Sequence, residues 1–145
     1  MNNNKTKAEQ MLKTAQLRVT QQRLDILKIL LGAKTPLNRE QITEMLGKNG
    51  PNKVTIYRIL ERLFNKGLVH KAFVGDRTWH YELAHNCTVD QCHPHFICNN
   101  CGKVTCLYDI HFPLVEGLGE NFIFQRQKII IEGIGPECSA GFFKT

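Results

Sequence analysis

The first 84 residues contain no cysteine, although the chain of 145 residues has six. No apolar run approaches the length of a transmembrane helix, and the polar residues 1–5 lack the apolar core of a secretory signal. These absences argue against a secreted or membrane protein and favour the cytoplasm, where thiols stay reduced. In such a compartment, clustered cysteines indicate metal ligands before they indicate disulfides.

Charge divides the chain at the same place as cysteine. Residues 1–84 carry 15 Lys and Arg against 7 Asp and Glu, a net charge of +8, whereas residues 85–145 have a net charge of −2. A basic segment suits a polyanion such as DNA, although a solvated surface can also be basic. We therefore predict two domains, a basic domain over residues 1–84 and a cysteine-rich domain over residues 85–145.

The basic part has the element order of a winged helix. A helix is predicted over residues 5–16, and Thr20 and Asn38 are expected to cap two further helices. In the second of these, the residues expected to face inward are Ile42, Met45 and Leu46. A longer helix over residues 53–66 and a β-hairpin over residues 68–83 follow. In this fold, the long helix enters the major groove of DNA.

The cysteine-rich part has three predicted strands, over residues 95–98, 104–107 and 122–131. Pro113 and Gly117 leave room for only a short helix or an irregular crossover before the last strand. The expected fold class is therefore α+β, with an N-terminal winged-helix (helix-turn-helix) DNA-binding domain followed by a small α/β domain.

Residues 92–106 contain four cysteines and two histidines, and thiolates with imidazoles are the ligands that zinc prefers. Cys98 and Cys101 have the spacing of a zinc knuckle, in which a tight turn brings two sulfurs to one ion. His93 and His95 are two residues apart, so both imidazoles would lie on one face of a strand. The cysteine pair and the histidine pair lie next to each other in the sequence, which suggests two metal ions rather than one.

Several motifs appear in a specific order and spacing. They are Leu17-Arg18-Val19-Thr20-x-x-Arg23, Val54-Thr55-Ile56-Tyr57-Arg58, Gly67-Leu68-Val69, Tyr81-Glu82-Leu83, His93-x-His95-Phe96-x-Cys98-x-x-Cys101 and Gly133-x-x-x-x-Cys138. Together they resemble the ferric uptake regulator family of bacterial metal-dependent repressors, nearly from end to end. Each motif alone is weak, and their combination is specific.

The resemblance implies how the chain binds DNA. Members bind operator DNA as homodimers when their regulatory metal is loaded, and residues 85–145 would form the dimerisation domain. The positions that match the family's DNA contacts are Arg18, Thr55, Tyr57 and Arg58. The arginines suit phosphates or a groove edge, and Tyr57 can touch a thymine methyl and donate a hydrogen bond. Alternatively, Tyr57 packs within the helix bundle and Arg58 is a solvated charge.

The resemblance also implies a structural zinc site. Cys98 and Cys101 match half of a site that a C-terminal Cys-x-x-Cys completes in the family. The corresponding residues here are Gly135 and Cys138, so one sulfur is absent, and structural zinc needs four ligands. The candidates for the fourth ligand are water, a partner chain, Cys106, Cys92, Cys87 and His111. The alternative is that Cys98 and Cys101 are two ordinary reduced cysteines in a turn.

A second, regulatory site is implied around His93 and His95. Glu82 matches a carboxylate ligand of iron-type relatives, and Cys87 resembles the cysteine ligand of the zinc-uptake branch. Cys106 falls where iron or manganese sensors have an acidic ligand. The alternatives are that Glu82 is a solvent-facing carboxylate of the wing and that Cys106 is a small buried hydrophobic residue.

Departures from the iron sensors remove hard oxygen ligands from this second site. Pro94 replaces the aspartate common between the two histidines, and Pro36 stands where some iron sensors place a histidine. Because sulfur is left, the metal preference shifts from Fe²⁺ or Mn²⁺ toward Zn²⁺. The chain is therefore most similar to the zinc-uptake branch, with zinc in a structural and a regulatory role.

The resulting hypothesis is a cytoplasmic, homodimeric, zinc-responsive transcriptional repressor that takes no small-molecule substrate, does not bind membranes and is not an enzyme. Its nearest alternative keeps the fold and senses iron, manganese or peroxide. Two alternatives come from other classes. A zinc hydrolase would need a general base and an open metal position, but the chain has no His-Glu-x-x-His helix. A zinc-ribbon interaction module would need no regulatory metal.

Overall fold

The computed structural model describes residues 2–75, 77–84 and 93–142. The chain divides into two compact units, Met1–His85 and Asn86–Thr145. Each unit combines α-helix with one three-stranded sheet, which confirms the predicted α+β class. Within the described residues, every helix is too short or too polar to cross a lipid bilayer.

Four helices form most of the first unit. They are α1 (Asn2–Thr14), α2 (Gln21–Gly32), α3 (Arg39–Leu46) and α4 (Lys53–Asn65). Thr20 Oγ1 accepts a hydrogen bond from the Arg23 amide at 3.3 Å. Asn38 and Asn52 cap α3 and α4 through the same kind of bond, each at 2.8 Å. The predicted caps at Thr20 and Asn38 are therefore confirmed.

The core of the first unit consists of aliphatic side chains from all four helices. Helix α4 buries four residues with the spacing of one helical face: Ile56, Ile59, Leu60 and Leu63. The other helices contribute Leu12, Leu27 and Ile42, none of which has any solvent-exposed surface. Because this face of α4 is buried, its opposite face is turned outward.

The inward orientation predicted for Met45 is wrong, since 58% of this residue is exposed. Helix α3 buries Ile42 and packs the partly buried Leu46 against the core. Ile42 and Leu46 are about 40° apart around the helix axis and define its buried face, whereas Met45 is about 100° from Leu46 and lies at the edge of that face.

A small antiparallel sheet completes the first unit. Its strands are β1 (Leu37–Asn38), β2 (Val69–Gly75) and β3 (Thr78–Leu83), in the order β1-β3-β2. The register shifts between Lys71 and Phe73. The hairpin that follows α4 confirms the predicted winged helix. Strand β1 was not predicted because two residues are too few to show a period.

The second unit has a mixed sheet and a C-terminal helix. Its elements are β4 (His95–Cys98), β5 (Val104–Cys106), β6 (Ile130–Gly133) and α5 (Pro136–Phe142). The central strand β4 pairs antiparallel to β5 and parallel to β6. The strands predicted at 95–98 and 104–107 therefore form, and α5 was not predicted.

The strand predicted over residues 122–131 is wrong for most of its length. Only Ile130 and Ile131 of this stretch lie in β6. A strand needs a neighbour for its backbone groups, and β4 pairs with this part of the chain from Ile130 onward. Phe122 and Ile123 are instead 70% and 88% exposed.

Candidate metal centres and DNA-binding surface

Three cysteines of the second unit converge into one cluster, which we call the three-thiol cluster: Cys98, Cys101 and Cys138. Their sulfur atoms all lie within 4.8 Å of one another. The turn after β4 brings the first two together, because the Gly102 amide donates to the Cys98 carbonyl at 2.8 Å. Cys138 lies on α5, the helix that follows β6, and β6 pairs with β4. The structure thus brings together the three sequence-predicted sulfur ligands.

Backbone amides stabilise the thiolate of Cys98. The Gly135 N–H donates to Cys98 Sγ at 3.3 Å, and this bond is the largest cause that lowers the pKa of Cys98 to about 6. The amides of Cys101 and Asn100 lower this pKa further, while burial opposes them. A thiol that ionises readily is suited to metal binding, because the thiolate is the form that binds.

Side chains from the turn also reach α5. Asn100 Nδ2 donates to Cys138 Sγ at 3.2 Å, which lowers the pKa of that thiol, but Cys101, burial and Cys98 outweigh this effect and raise it overall. The exposed Lys103 and Glu137 form an ion pair at 2.6 Å. Their hydrogen bond raises the pKa of Lys103 and lowers that of Glu137. These contacts hold α5 against the turn.

The donor chemistry of the three-thiol cluster fits zinc, but its ligand number does not reach four within the described residues. Gly135, the position at which the family motif has a further cysteine, lies beside Cys98 and is buried. The position of the sulfur that this chain lacks relative to the family motif therefore lies at the three-thiol cluster itself. Candidates Cys87 and Cys92 lie outside the described residues.

A second cluster in the same unit contains His93, His95 and Cys106, whose ligand atoms also lie within 4.8 Å of one another. His95 and Cys106 are direct partners across the β4–β5 ladder, so their side chains share a face of the sheet. The two imidazole centroids are 4.5 Å apart, and the Tyr108 ring packs at a tilt against His93 with a centroid distance of 4.4 Å. Two imidazoles with one thiol fit a zinc ion.

Glu82 lies on β3 opposite His70 of β2, and His70 Nε2 is 2.9 Å from Glu82 Oε1. Only 12% of the Glu82 side chain and 9% of the His70 side chain are exposed. The alternative of a solvent-facing carboxylate is therefore wrong. Cys106 is half-buried on β5. Cys87 lies outside the described residues, so its role stays a prediction.

The outward face of α4 presents the polar residues predicted to contact DNA. Tyr57 is 46% exposed, Arg58 is exposed and Thr55 is half-buried. The Arg39 guanidinium lies 5.6 Å from the centroid of the Tyr57 ring. Arg18 is also exposed, although it lies outside α4. Tyr57 is thus not a core-packing residue, contrary to the alternative reading of the sequence.

One acidic residue of α4 links this helix to the β2–β3 hairpin, which is the wing of the winged helix. Glu61 Oε1 accepts a hydrogen bond from the Tyr81 hydroxyl at 3.1 Å and pairs with Lys71 Nζ at 3.0 Å. Burial, followed by the bond to Glu61, raises the pKa of Tyr81. Lys71 Nζ also lies 4.5 Å from the Phe64 ring centroid and 5.4 Å from that of Trp79. The orientation of the wing is therefore fixed to α4.

Sequence reasoning missed the groups that support these sites. The Gly135 amide and the Asn100 side chain act on sulfur atoms that are 37 and 38 residues away in sequence. No local pattern indicates such partners. Glu61 lies three residues after Arg58. This spacing is as consistent with a solvated residue on α4 as with a residue that contacts the hairpin.

The profile of the Ferric uptake regulator family matches residues 14–131. This chain belongs to the ferric uptake regulator family. Among its relatives, the peroxide-responsive repressor of Staphylococcus saprophyticus is 30% identical over 131 residues, or 84% of this chain and 82% of that repressor. The peroxide operon regulator of Bacillus subtilis is 29% identical over 136 residues, or 88% of each chain.

The fold agrees with solved members of the family. A zinc uptake regulator determined with zinc and DNA superimposes with a TM-score of 0.67 at 22% identity, covering 97% of this chain and 96% of that one. As a family member, the protein is a metal-responsive transcriptional regulator and not an enzyme. The hydrolase alternative is therefore dropped.

We predict that Cys98 ionises before Cys138 in the metal-free protein as pH rises. Its ultraviolet thiolate absorbance should appear around pH 6, and Cys98→Ser should abolish this first step. The folded-state pKa lies below the unfolded value of about 8.5. The Cys98 thiolate therefore stabilises the folded state fully above the unfolded pKa of about 8.5. This stabilisation is lost as pH falls through the folded-state pKa of about 6.

Cys138→Ser is the matched control for this titration, because the pKa of Cys138 is raised and the early step should persist without it. A wild-type titration that begins only near the ordinary cysteine value of about 8.5 would contradict the assignment.

Proposed function

We propose that this protein is a zinc-responsive transcriptional repressor that binds operator DNA as a homodimer. The observation that carries the proposal is the cluster of His93, His95 and Cys106, which is separate from the three-thiol cluster in the same unit. A second donor set gives the chain a place to sense a metal in addition to one that stabilises its fold. A repressor of this kind acts on chromosomal DNA, so we place it in the cytoplasm.

The choice of zinc follows from the donor atoms. The cluster offers two imidazole nitrogens and one thiolate sulfur, and sulfur favours zinc over iron or manganese. Glu82 and Cys87 are the sequence-predicted candidates for a further ligand. When bound, zinc would form coordination bonds to His95 and Cys106, which the β4–β5 register already holds on one face, and to His93.

We assign DNA binding to residues 1–84 and dimerisation to residues 85–145. In support of the first assignment, α4 buries its apolar face and leaves Tyr57 and Arg58 exposed. We propose that Tyr57 contacts bases and that Arg58 and Arg18 contact phosphates, with Thr55 at the same surface. Metal loading would raise the population of molecules able to bind the operator, which is how a ligand shifts an equilibrium.

Support for a homodimer comes from apolar surface on the second unit. One segment exposes several large apolar side chains: Leu114, Val115, Leu118, Phe122, Ile123 and Phe124. Exposing so many large apolar side chains within one short segment is unfavourable in water and favours a partner that covers them. A second copy of the chain is the partner that a family of dimeric repressors implies.

The strongest competing function is peroxide sensing, because the 29–30% identical relatives from Bacillus and Staphylococcus are peroxide regulators. That chemistry would use iron at the same two histidines. The thiol in the cluster favours zinc. The two functions differ in which of zinc, iron or manganese restores DNA binding to the metal-free protein.

The first test is the anisotropy of labelled upstream DNA, titrated with protein at buffered free zinc. Zinc should raise the affinity of the wild-type protein by about 5- to 150-fold, the usual range of allosteric coupling. His93→Ala combined with His95→Ala should remove this gain, because both imidazole ligands are lost. Glu120→Ala is the control, since Glu120 is exposed, lies in the same unit and belongs to neither cluster.

An undiminished zinc response in the double histidine variant would refute the regulatory site. A response to iron that hydrogen peroxide then abolishes would favour the peroxide sensor instead.

A second prediction concerns the salt dependence of DNA binding. Arg58→Ala should lower the slope of log affinity against log salt by about one per protomer, because one phosphate contact is lost. Arg58→Lys keeps the charge and should keep the slope. An unchanged slope in the alanine variant would return Arg58 to the role of a solvated charge.

A third prediction concerns assembly. Ile123→Asp should shift the protein from dimer to monomer in sedimentation velocity, because a carboxylate would be buried in the proposed interface. Met45→Asp is the matched control, since Met45 is an exposed apolar residue of the first unit. Equal dimer fractions in the two variants would place the interface elsewhere.

A further inference from the structure

Among the described residues, three ligands converge at the three-thiol cluster, and a position for a fourth lies beside Gly135. The Gly135 amide already donates to Cys98 Sγ, so its backbone touches the cluster. A Cβ atom added at Gly135 would lie 3.5 Å from Cys98 Cβ and 3.8 Å from Cys98 Sγ. These are ordinary van der Waals distances. The backbone therefore leaves room for a side chain that glycine does not supply.

The size of this opening suits a donor atom. In a tetrahedral site, zinc–sulfur bonds of about 2.3 Å place two sulfurs about 3.8 Å apart. A sulfur attached to a Cβ at Gly135 would be one bond beyond an atom that is already 3.8 Å from Cys98 Sγ. The Cβ of a cysteine at position 135 is thus accommodated without moving the backbone, and its sulfur would lie one bond further out, at the distance scale of a zinc-bound pair of sulfurs.

The cluster is also accessible from solution. Cys98 and Gly135 are buried, Cys138 is half-buried and Cys101 is exposed, so one edge faces solvent. A small molecule can therefore approach the edge at Cys101.

We propose that the fourth coordination position of a zinc ion at this cluster is filled from solution by a small-molecule thiol. The thiol would release its proton to solvent and give a sulfur electron pair to the ion, with no change in oxidation state. A soft thiolate matches the other three donors. The site is then an open, exchangeable one rather than a closed structural site. The inference rests on the proposed metal at the cluster and concerns only its last ligand.

The test uses cobalt(II) as a coloured substitute for zinc in the full-length protein. A background with His93→Ala and His95→Gln restricts the signal to the three-thiol cluster, and a phosphine reductant keeps the thiols reduced without binding cobalt. β-Mercaptoethanol is then titrated into three proteins: the background, Gly135→Cys and Gly135→Ala. Far-UV circular dichroism checks that each protein is folded.

The expected result is a saturable change in the visible cobalt bands of the background protein. Gly135→Cys should show the thiol-bound spectrum without added thiol and should not respond further, because it supplies the fourth sulfur itself. Gly135→Ala should respond more weakly than the background and should not show the thiol-bound spectrum by itself, because its methyl group occupies part of the space and donates nothing. In chelator competition, Gly135→Cys should bind zinc about 10- to 100-fold more tightly, a range seen when groups around a metal are altered.

Two outcomes would overturn the proposal, and they are distinguishable. If the background protein has a four-sulfur spectrum and ignores the thiol, another residue of the chain is the fourth ligand, and the metal centre itself stands. If it develops no sulfur-to-cobalt charge-transfer band, the cluster does not bind the ion, and the proposed structural zinc fails together with the inference.

Discussion

The burial of one face of α4 is the constraint on which the DNA-binding unit depends. Ile56, Ile59, Leu60 and Leu63 anchor the helix in the core of the first unit. Four buried aliphatic side chains, each contributing about 1.5–3 kcal/mol, leave the helix no freedom to rotate about its axis. The exposed position of Tyr57 and Arg58 is therefore a consequence of packing on the opposite side.

The same constraint extends to the wing through Glu61, which lies beside the buried face and binds both Lys71 and Tyr81. Helix α4 and the wing thus form one surface, and a displacement of either element would alter the position of the other. In the second unit, the pairing of β4 with both β5 and β6 has a comparable role. It places His95 opposite Cys106 and brings the segment before Cys138 to the end of β4.

Features that depend on neighbours in sequence could be predicted from the sequence, and features that depend on distant partners could not. The caps at Thr20 and Asn38 and the turn from Cys98 to Cys101 follow from side chains a few residues apart. The family resemblance supplied Cys138 and located the missing sulfur at Gly135. It did not show that the amide of this glycine binds Cys98.

The errors have the same physical origin. Residues 122–129 have the composition of a strand, but a strand forms only where another backbone accepts its hydrogen bonds. Likewise, the alternative that Glu82 faces solvent was wrong because the register of the hairpin places Glu82 opposite His70. Met45 was assigned to the core because a short helix offers few positions from which to judge its buried face.

A metal ion at the three-thiol cluster would cross-link distant parts of the second unit, because Cys138 lies far from Cys98 and Cys101 in sequence. Cys138 follows Cys101 by 37 residues, and β5, the exposed apolar segment and β6 all lie in the loop between them. In the chain-entropy description, closing a loop of about 40 residues disfavours the unfolded state by about 4 kcal/mol. Removal of an ion from this cluster would thus release the whole loop from its tether, and the effect would extend far beyond one turn.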